Sequence, residues 1–381
     1  MGFLPLAPQK KEAALSTMLP SSGITAVAVS GGVDSLYALA SLRDIGQEVI
    51  ALHARMLPPE LTPAGYETML ERLDIACRRL GIPLHILDCV AEFAKTVIAP
   101  FVHAYARGLT PNACAHCNAT IKFGLLLDQA VRLGASRLGT GHYIRLEQTP
   151  DGPALYMADD TTKDQSYFLS LVPQNRLALG VFPLADKSKA AIRAELTSRG
   201  LEIPAPAESQ EICFVPGDDY RAFLLDRAAR IDVTLPGSSS IILPDGSIVG
   251  THKGLWNYTE GQRRGLGVAW TEPLYVLAKN AAANSLVAGT AANLAEYGRE
   301  VTAEKCNFLV PFERWPTTVL IRTRFRQTAR PATVNFKDGF LLFREESPSG
   351  PHARGQIATV YAREPHANGW RLRVLGGGII A

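Results

Sequence analysis

The sequence predicts an α/β protein, with a parallel-sheet domain at its N-terminal end followed by a small β-rich part and a C-terminal antiparallel β-barrel. Three observations carry this expectation. Short β-branched runs alternate with stretches of helical period over the first two hundred residues, the pattern of a sheet covered by helices on its faces. Beyond Ile231 the apolar runs shorten and are broken by Pro236-Gly237, Pro244-Asp245-Gly246 and Gly265-Leu266-Gly267. The chain has 381 residues, 47% of them hydrophobic and 20% charged, enough for two or three domains with sizeable cores and unlike a disordered or fibrous composition.

Taken in order, residues 24–29 (Ile-Thr-Ala-Val-Ala-Val) read as a buried strand, followed at once by a glycine loop and a helical stretch through Leu42. Strands at 48–53 and 83–87 flank a helix over 64–80. A helix over 122–133, strand-like runs at 137–139 and 143–146, and a helix over 187–199 continue the alternation to about Val215. A helix over 218–230 opens the middle part, and strands at 285–288, 317–325, 332–336, 340–343, 356–361 and 370–374 have the spacing of a small barrel. The expected divisions are a frayed tail over 1–22, an α/β domain over 23–215, a β-rich domain over 216–280 and a barrel over 281–381.

Residues 1–22 contain Lys10, Lys11 and Glu12 without an apolar core, so they do not read as a signal peptide, and the charge-free stretch 96–106 is too short to span a bilayer. A cytoplasmic protein with no membrane partner is expected, and six cysteines in this length are too few for a disulfide scaffold. Net charge is +3, and residues 286–381 hold thirteen Lys and Arg against eight Asp and Glu. That basic excess suits a polyanion and equally a solvated surface.

Several segments carry chemistry. Ser30-Gly31-Gly32-Val33-Asp34-Ser35 lies between a strand and a helix, where backbone N–H groups and the helix N-terminus favour a phosphate, and Asp34 is placed to hold Mg2+ on it. The lysine of a Walker loop is absent, which argues against transfer of a terminal phosphate. Cys114 and Cys117 lie in a turn-rich stretch from Thr110, ahead of a helix expected from near Ile121, where thiols gain thiolate character. Inert thiols or half a zinc site are the other readings, although no second C-x-x-C completes four ligands. Cys213 alone reads as a core cysteine, as do Cys77, Cys89 and Cys306. Gly139-Thr140-Gly141-His142 follows a short strand, so Gly141 stands where α/β ligands bind and His142 either acts there or satisfies its own hydrogen bonds. Lys163-Asp164-Gln165 suits a nucleic-acid contact or a solvated loop, and Arg322, Arg324 and Arg326 on one strand would line one face, as a phosphate surface or a charged edge.

In this order, the motifs resemble the bacterial tRNA-specific 2-thiouridylases of the PP-loop ATP pyrophosphatase superfamily over nearly the whole chain. The resemblance rests on Ser30 to Ser35, Thr110-Pro111-Asn112 with Cys117-Asn118, Thr140-Gly141-His142-Tyr143, Lys163 to Phe168, Ser209-Gln210-Glu211-Ile212-Cys213-Phe214, His252-Lys253-Gly254-Leu255, Gly261 to Gly267 and Leu375-Gly376-Gly377-Gly378. It implies a PP-loop catalytic domain of the adenine nucleotide alpha hydrolase type. It also implies ATP-dependent 2-thiolation of the wobble uridine in tRNAs for Lys, Glu and Gln, by adenylation of the C2 carbonyl oxygen with release of pyrophosphate and AMP. By the resemblance, Cys213 carries a persulfide supplied by a sulfur-relay protein or a cysteine desulfurase. Cys117 is then the nucleophile that can close a disulfide with Cys213. Val29, Ser30, Gly31, Gly32, Val33, Asp34, Ser35, Leu36, Ala54 and Gly141 would hold ATP. Asn112, Ala113 and Cys114 would face the target base, and Lys163, Asp164, Gln165, Arg324 and Phe325 the tRNA.

One departure stands out: family members commonly read Asn-Pro-Asp where this chain has Asn112-Ala113-Cys114. A carboxylate is lost and a third cysteine gained, so Cys114, Cys117 and Cys213 become a possible ligand set for a [4Fe-4S] cluster of the kind some related tRNA-thiolating enzymes use. Two rival functions are another PP-loop enzyme that adenylates a small molecule, and an inactive tRNA-binding or sulfur-carrier protein.

Overall fold

The computed structural model describes residues 23–203, 212–294, 296–367 and 369–381, so the tail expected over 1–22 and the Ser209-Gln210-Glu211 part of the Cys213 motif lie outside the described residues. The described residues form two compact units, each discontinuous in sequence: one holds residues 23–94, 117–203, 212–214, 365–367 and 369–374, and the other 95–116, 215–294, 296–364 and 375–381.

The first unit is built on a parallel sheet of β1 (Ile24–Ala28), β2 (Glu48–Arg55), β3 (Leu84–Asp88), β4 (Ala135–Gly139) and β7 (Gly180–Val181), in the order β3-β2-β1-β4-β7. Every pairing is parallel. The chain leaves β1 toward β2 on one side, and β4 lies on the other, so the carboxyl ends of β1 and β4 open a crevice at the point where the winding reverses. β1 is apolar on both faces because helices cover both. One of them, Val33–Asp44, is buried almost all round, with Leu36, Tyr37, Leu39 and Leu42 in the core beside Ile192 and Leu196 of the helix Lys189–Ser198. The helix Tyr66–Leu80 instead shows an apolar stripe of Met69, Leu70, Leu73, Ala76, Cys77 and Leu80. The strand expected at 143–146 does not join this sheet. It is β5 (Ile144–Thr149), which forms an antiparallel hairpin with β6 (Gly152–Met157), because Gly152 at φ +100° makes the tight return.

In the second unit, β8 (Ser239–Ile242), β9 (Ile248–His252), β10 (Tyr275–Asn280) and β11 (Ser285–Gly289) form a sheet in the order β10-β11-β8-β9 around Ile241, Leu255, Val276 and Leu286. The expected boundary at 280 therefore cuts a hairpin: β10 and β11 pair with Lys279 opposite Leu286, and the strand at 285 belongs to the middle domain. The barrel starts at β12 (Glu300–Phe308), a strand not among those expected, and continues through β13 (Thr318–Arg322), β14 (Arg330–Lys337), β15 (Phe340–Glu345), β16 (Ile357–His366) and the end of β17 (Gly369–Ile380). β12, β15, β14, β13, β16 and β17 are neighbours in that order and close through antiparallel β12–β17 pairing, while β17 also pairs with β6, so that the sheet runs on into the β5–β6 hairpin. Val301, Trp315, Ile321, Phe343 and Val360 fill it.

Candidate nucleotide and thiol site

The loop after β1 is held at both ends. Val29 N–H donates to Leu52 O at 2.8 Å, and His53 Nδ1 donates back to Val29 O at 2.8 Å while Nε2 accepts from Tyr66 Oη at 2.8 Å. Burial lowers the His53 pKa, which keeps the imidazole neutral in that tautomer. Gly31 sits at φ +81°, which favours glycine, and a Cβ there would displace the flexible end of the Met69 side chain. Ser35 Oγ accepts from Ser30 N–H at 3.1 Å and donates to Gly32 O at 3.0 Å, folding the loop over the start of the helix. Gly32 is the N-cap of that helix, and no side chain caps it. The helix N-terminus thus faces the crevice with its own N–H groups, which is what a phosphate requires.

The opposite wall comes from β4. Gly141 lies so close to the loop that a Cβ would stand 2.8 Å from Asp34 C and Ser35 N, both backbone atoms. The absence of a side chain at Gly141 makes room for the phosphate loop. His142 is buried and its pKa is held well below the usual range by burial and by Lys122. Lys122 Nζ, which only donates, lies 3.4 Å from Nε2, so Nδ1 carries the proton toward Thr140 Oγ1 at 2.8 Å. A neutral His142 is thus partnered on both nitrogens. Asp34 is gripped twice: Tyr143 Oη donates to Oδ1 at 2.7 Å and Lys189 Nζ to Oδ2 at 2.9 Å. Tyr143 belongs to the Thr140-Gly141-His142-Tyr143 motif, but nothing in the sequence marked Lys189 as part of the site. Ala54 is half-buried in β2, opposite Leu87 of β3.

The cysteine-bearing helix starts earlier than expected. Asn112 Oδ1 accepts from Ala115 N–H at 2.9 Å, and a helix runs Ala113–Cys117, then as π-helix Asn118–Leu126, then Leu127–Arg132. Cys114 and Cys117 therefore stand within the helical run, at a spacing that shares a face, with Cys114 exposed and Cys117 buried. The expected helix start near Ile121 missed the asparagine cap and the absence of proline from 113 to 132. Cys213 is exposed, next to Phe214, which packs edge-on against Phe93 at 5.7 Å. Burial pushes the Cys77 thiol up to about 11 and raises Cys89 and Cys306 as well, so these three stay protonated as packing residues do.

Comparison with known proteins gives this arrangement its context. The tRNA methyl transferase HUP domain family matches residues 24–217 and the tRNA methyl transferase PRC-barrel domain family residues 233–290. The chain is 50% identical over 357 residues to the tRNA-specific 2-thiouridylase MnmA of Nitratidesulfovibrio vulgaris strain Miyazaki F, covering 93% of this chain and 98% of that one. It is 51% identical over 370 residues to the protein of the same name from Oleidesulfovibrio alaskensis, with the same coverage. The chain belongs to the tRNA-specific 2-thiouridylase family. A solved structure, the U34-tRNA thiolase NcsA of Methanococcus maripaludis with its [4Fe-4S] cluster, matches at a TM-score of 0.37 and 13% identity, covering 58% of this chain and 72% of that one, and carries no argument about this site.

Within this thiouridylase, the residues that the resemblance assigned to RNA divide. Lys163 is half-buried, whereas Asp164 is 2% exposed, and its carboxylate accepts from Ala158 N–H at 3.1 Å and Ser166 Oγ at 2.8 Å. Its side chain holds the turn together from inside. Gln165 exchanges two hydrogen bonds of 3.0 Å with the Tyr143 backbone and so supports the tyrosine that grips Asp34. The arginine face expected on one strand is not formed. β13 ends at Arg322, which is buried with its guanidinium 5.3 Å from the Tyr361 ring centre. Thr323 N–H and Arg324 N–H then both donate to Gln327 Oε1, and Arg326 takes φ +62°, making a turn. Arg324 Nη2 donates to Pro351 O at 2.7 Å, while Phe325 is exposed under the Arg326 guanidinium. Asn112 Nδ2 donates to Gln356 Oε1 at 3.1 Å, so besides capping the helix it ties the loop to residues beside the barrel strand β16, and Ala113 is buried.

Among the described residues, no three His, Cys, Asp or Glu side chains converge to hold a metal ion. Cys114, Cys117 and Cys213, the expected cluster ligands, are therefore not part of any such group. Mg2+ fits differently, because it needs only one or two carboxylates plus phosphate oxygens, and Asp34 at the uncapped helix start supplies one.

Proposed function

We propose that this enzyme 2-thiolates the wobble uridine of tRNAs for Lys, Glu and Gln at the expense of ATP. The observation that carries the reading is the conjunction of a glycine-built, uncapped phosphate cradle with cysteines at the family's two positions, in a chain half identical to curated thiouridylases. Val29 to Leu36 take the triphosphate, with Asp34 toward its Mg2+ and Ala54 beside the adenine. The C2 carbonyl oxygen of the uridine attacks the α-phosphorus and the bond to pyrophosphate breaks, leaving an adenylated base. Mg2+ when bound supplies charge neutralisation on the departing pyrophosphate. A persulfide on Cys213 brings sulfur to C2, and the C2–O bond breaks with AMP as leaving group. Whether the terminal sulfur attacks C2 directly or Cys117 first releases it as sulfide, the Cys117 thiolate ends bonded to Cys213 Sγ, and an external thiol must reduce that disulfide before the next turnover. A cytoplasmic setting follows from that need for reductant, and the persulfide donor is a sulfur-relay protein or a cysteine desulfurase.

The test is reconstitution with ATP, Mg2+, a persulfide donor and unmodified tRNA, read by nucleoside mass spectrometry. Thiolated wobble uridine is expected from the native chain and from neither Cys117→Ser nor Cys213→Ser. Full product from either variant with the persulfide donor removes the two-cysteine mechanism, and pyrophosphate release indifferent to tRNA removes the substrate.

A further inference from the structure

We propose that His352 is a positioning residue for the turn over 323–327, relaying the protonation of its imidazole through the Thr323 hydroxyl to the segment that meets RNA. The inference rests on the assignment of Arg324 and Phe325 to the tRNA surface, and it adds a residue from a different segment, beyond the end of β15.

The turn after β13 is gathered by one side chain. Gln327 Oε1 accepts from Thr323 N–H at 2.9 Å and from Arg324 N–H at 3.1 Å, and it also lies 3.1 Å from Thr323 Oγ1. Thr323 is 1% exposed, and its oxygen has a second neighbour in His352 Nδ1 at 2.9 Å. One hydroxyl proton therefore serves two acceptors, and the charge state of the ring decides between them. His352 Nε2 lies 2.8 Å from Gly298 O, which only accepts, so Nε2 keeps its proton in both states. With the ring neutral, Nδ1 is a buried acceptor that takes the Thr323 proton, and Thr323 Oγ1 and Gln327 Oε1 face each other with no proton between them. With the ring protonated, Nδ1 donates to Thr323 Oγ1 and the hydroxyl turns to Gln327. The turn is then held by three bonds on Gln327 Oε1 instead of two.

Opposing groups surround the imidazole, whose side chain is 6% exposed. Burial lowers its pKa, Gly298 O raises it, and the guanidiniums of Arg324 from the turn and Arg330 from β14 lower it, while the Glu345 carboxylate of β15 stands 3.8 Å from Nε2. A phosphate backbone arriving at the turn adds negative charge on the Arg324 side and favours the protonated ring. The segment that carries His352 also fixes the arginine. Arg324 Nη2 donates to Pro351 O at 2.7 Å, and the guanidinium lies so close to Gly261 that a Cβ there would stand 2.6 Å from Nη2. Ser349 Oγ donates to Glu345 Oε1 at 3.0 Å and Arg330 Nη2 to Ser347 O at 3.0 Å, which anchors this segment to the barrel strands. Binding of RNA at the turn takes up a proton on His352, and the turn tightens as it does.

The test is the Kd of unmodified tRNA for the full chain between pH 5.5 and 8 at fixed salt, for the native enzyme, His352→Gln, Thr323→Val and Phe325→Ala. His352→Gln keeps a donor for Gly298 O without a titrating ring, and Thr323→Val keeps the ring and breaks the relay. Native affinity is expected to rise as the pH falls toward and below about 6.5, by about threefold or more beyond the rise in either variant, inside the limit of about tenfold per pH unit that one coupled proton allows. Protonation of the RNA and of the other histidines is common to all the proteins and cancels in the comparison. Circular dichroism and the melting temperature establish that each variant is folded, and if one is not, the other carries the comparison. Equal pH dependence in the native chain and the folded variants overturns the inference alone, as does a slope lost in His352→Gln and kept in Thr323→Val. Phe325→Ala that binds tRNA as tightly as the native chain removes the turn from the RNA surface, and this inference with it.

Discussion

Replacing Gly32 by alanine separates two reasons for a glycine in the phosphate loop. Gly31 is favoured by the backbone itself, through φ +81°, but Gly32 is not: it has φ −76° and ψ 158°, open to any residue, and an added Cβ meets only Ser30 Oγ at 3.4 Å. Alanine is a poorer N-cap than glycine by about 0.5–1 kcal/mol. It also stiffens the unfolded chain, worth about 0.4–1 kcal/mol in the opposite sense. The two effects offset, and Gly32→Ala should unfold within about 0.5 kcal/mol of the native enzyme, a shift of no more than about 2 °C in Tm. Binding should respond differently, because a phosphate must come within hydrogen-bond distance of this backbone. Losing one charge-assisted contact costs about 1.5–3 kcal/mol, or roughly ten- to a hundredfold in Kd for α,β-methylene-ATP. Calorimetry for the nucleotide and thermal unfolding of the same preparation make the assay. A Gly32→Ala protein that melts normally and binds the nucleotide as the native chain does would refute the phosphate-cradle reasoning, and one that fails to fold would refute the steric argument.

Three other outcomes follow from the same structure. Gly141→Ala places a methyl 2.8 Å from the backbone of Asp34 and Ser35, and overpacking of this kind should cost about 1–3 kcal/mol in urea unfolding and weaken nucleotide binding as the loop shifts. His142 has a folded pKa below its ordinary 6.5, so the unfolded chain binds the extra proton first. Its contribution to stability is complete above about pH 6.5 and is lost as pH falls toward the folded value, with a slope of up to about 1.4 kcal/mol per pH unit, and a stability–pH profile of His142→Gln should lose that component. In the second unit, Lys279 and Glu260 form a pair 3.4 Å apart with side chains 1% and 3% exposed, and Lys279 also donates to Thr110 Oγ1 at 3.1 Å. Lys279→Met should cost about 3–5 kcal/mol by stranding a buried carboxylate, and Lys279→Met with Glu260→Leu should recover most of it; equal losses in single and double variants would contradict the buried-charge account.

The sequence alone determined the elements whose signal is local. The strand, glycine loop and helix from Ile24 to Asp44 are legible because a β-branched run, a left-handed glycine and a helix start are consecutive in the chain. The ordered motifs were legible for the same reason, and they carried the family. The three-dimensional structure decided what depends on which groups meet, whether near or far along the chain. β11 joins the middle sheet because it pairs with β10 and β8, and no composition at 280 announces that. Arg322, Arg324 and Arg326 alternate as a strand would, yet Gln327 draws two backbone N–H groups into a turn and the three guanidiniums part. Asp164 reads as a solvent-facing charge until Ala158 and Ser166 enclose it. Lys189 had no signal beyond its residue type, and the motif that holds Tyr143 did not announce its contact with Asp34, because that carboxylate is 155 and 109 positions away and only the fold brings it within 3 Å.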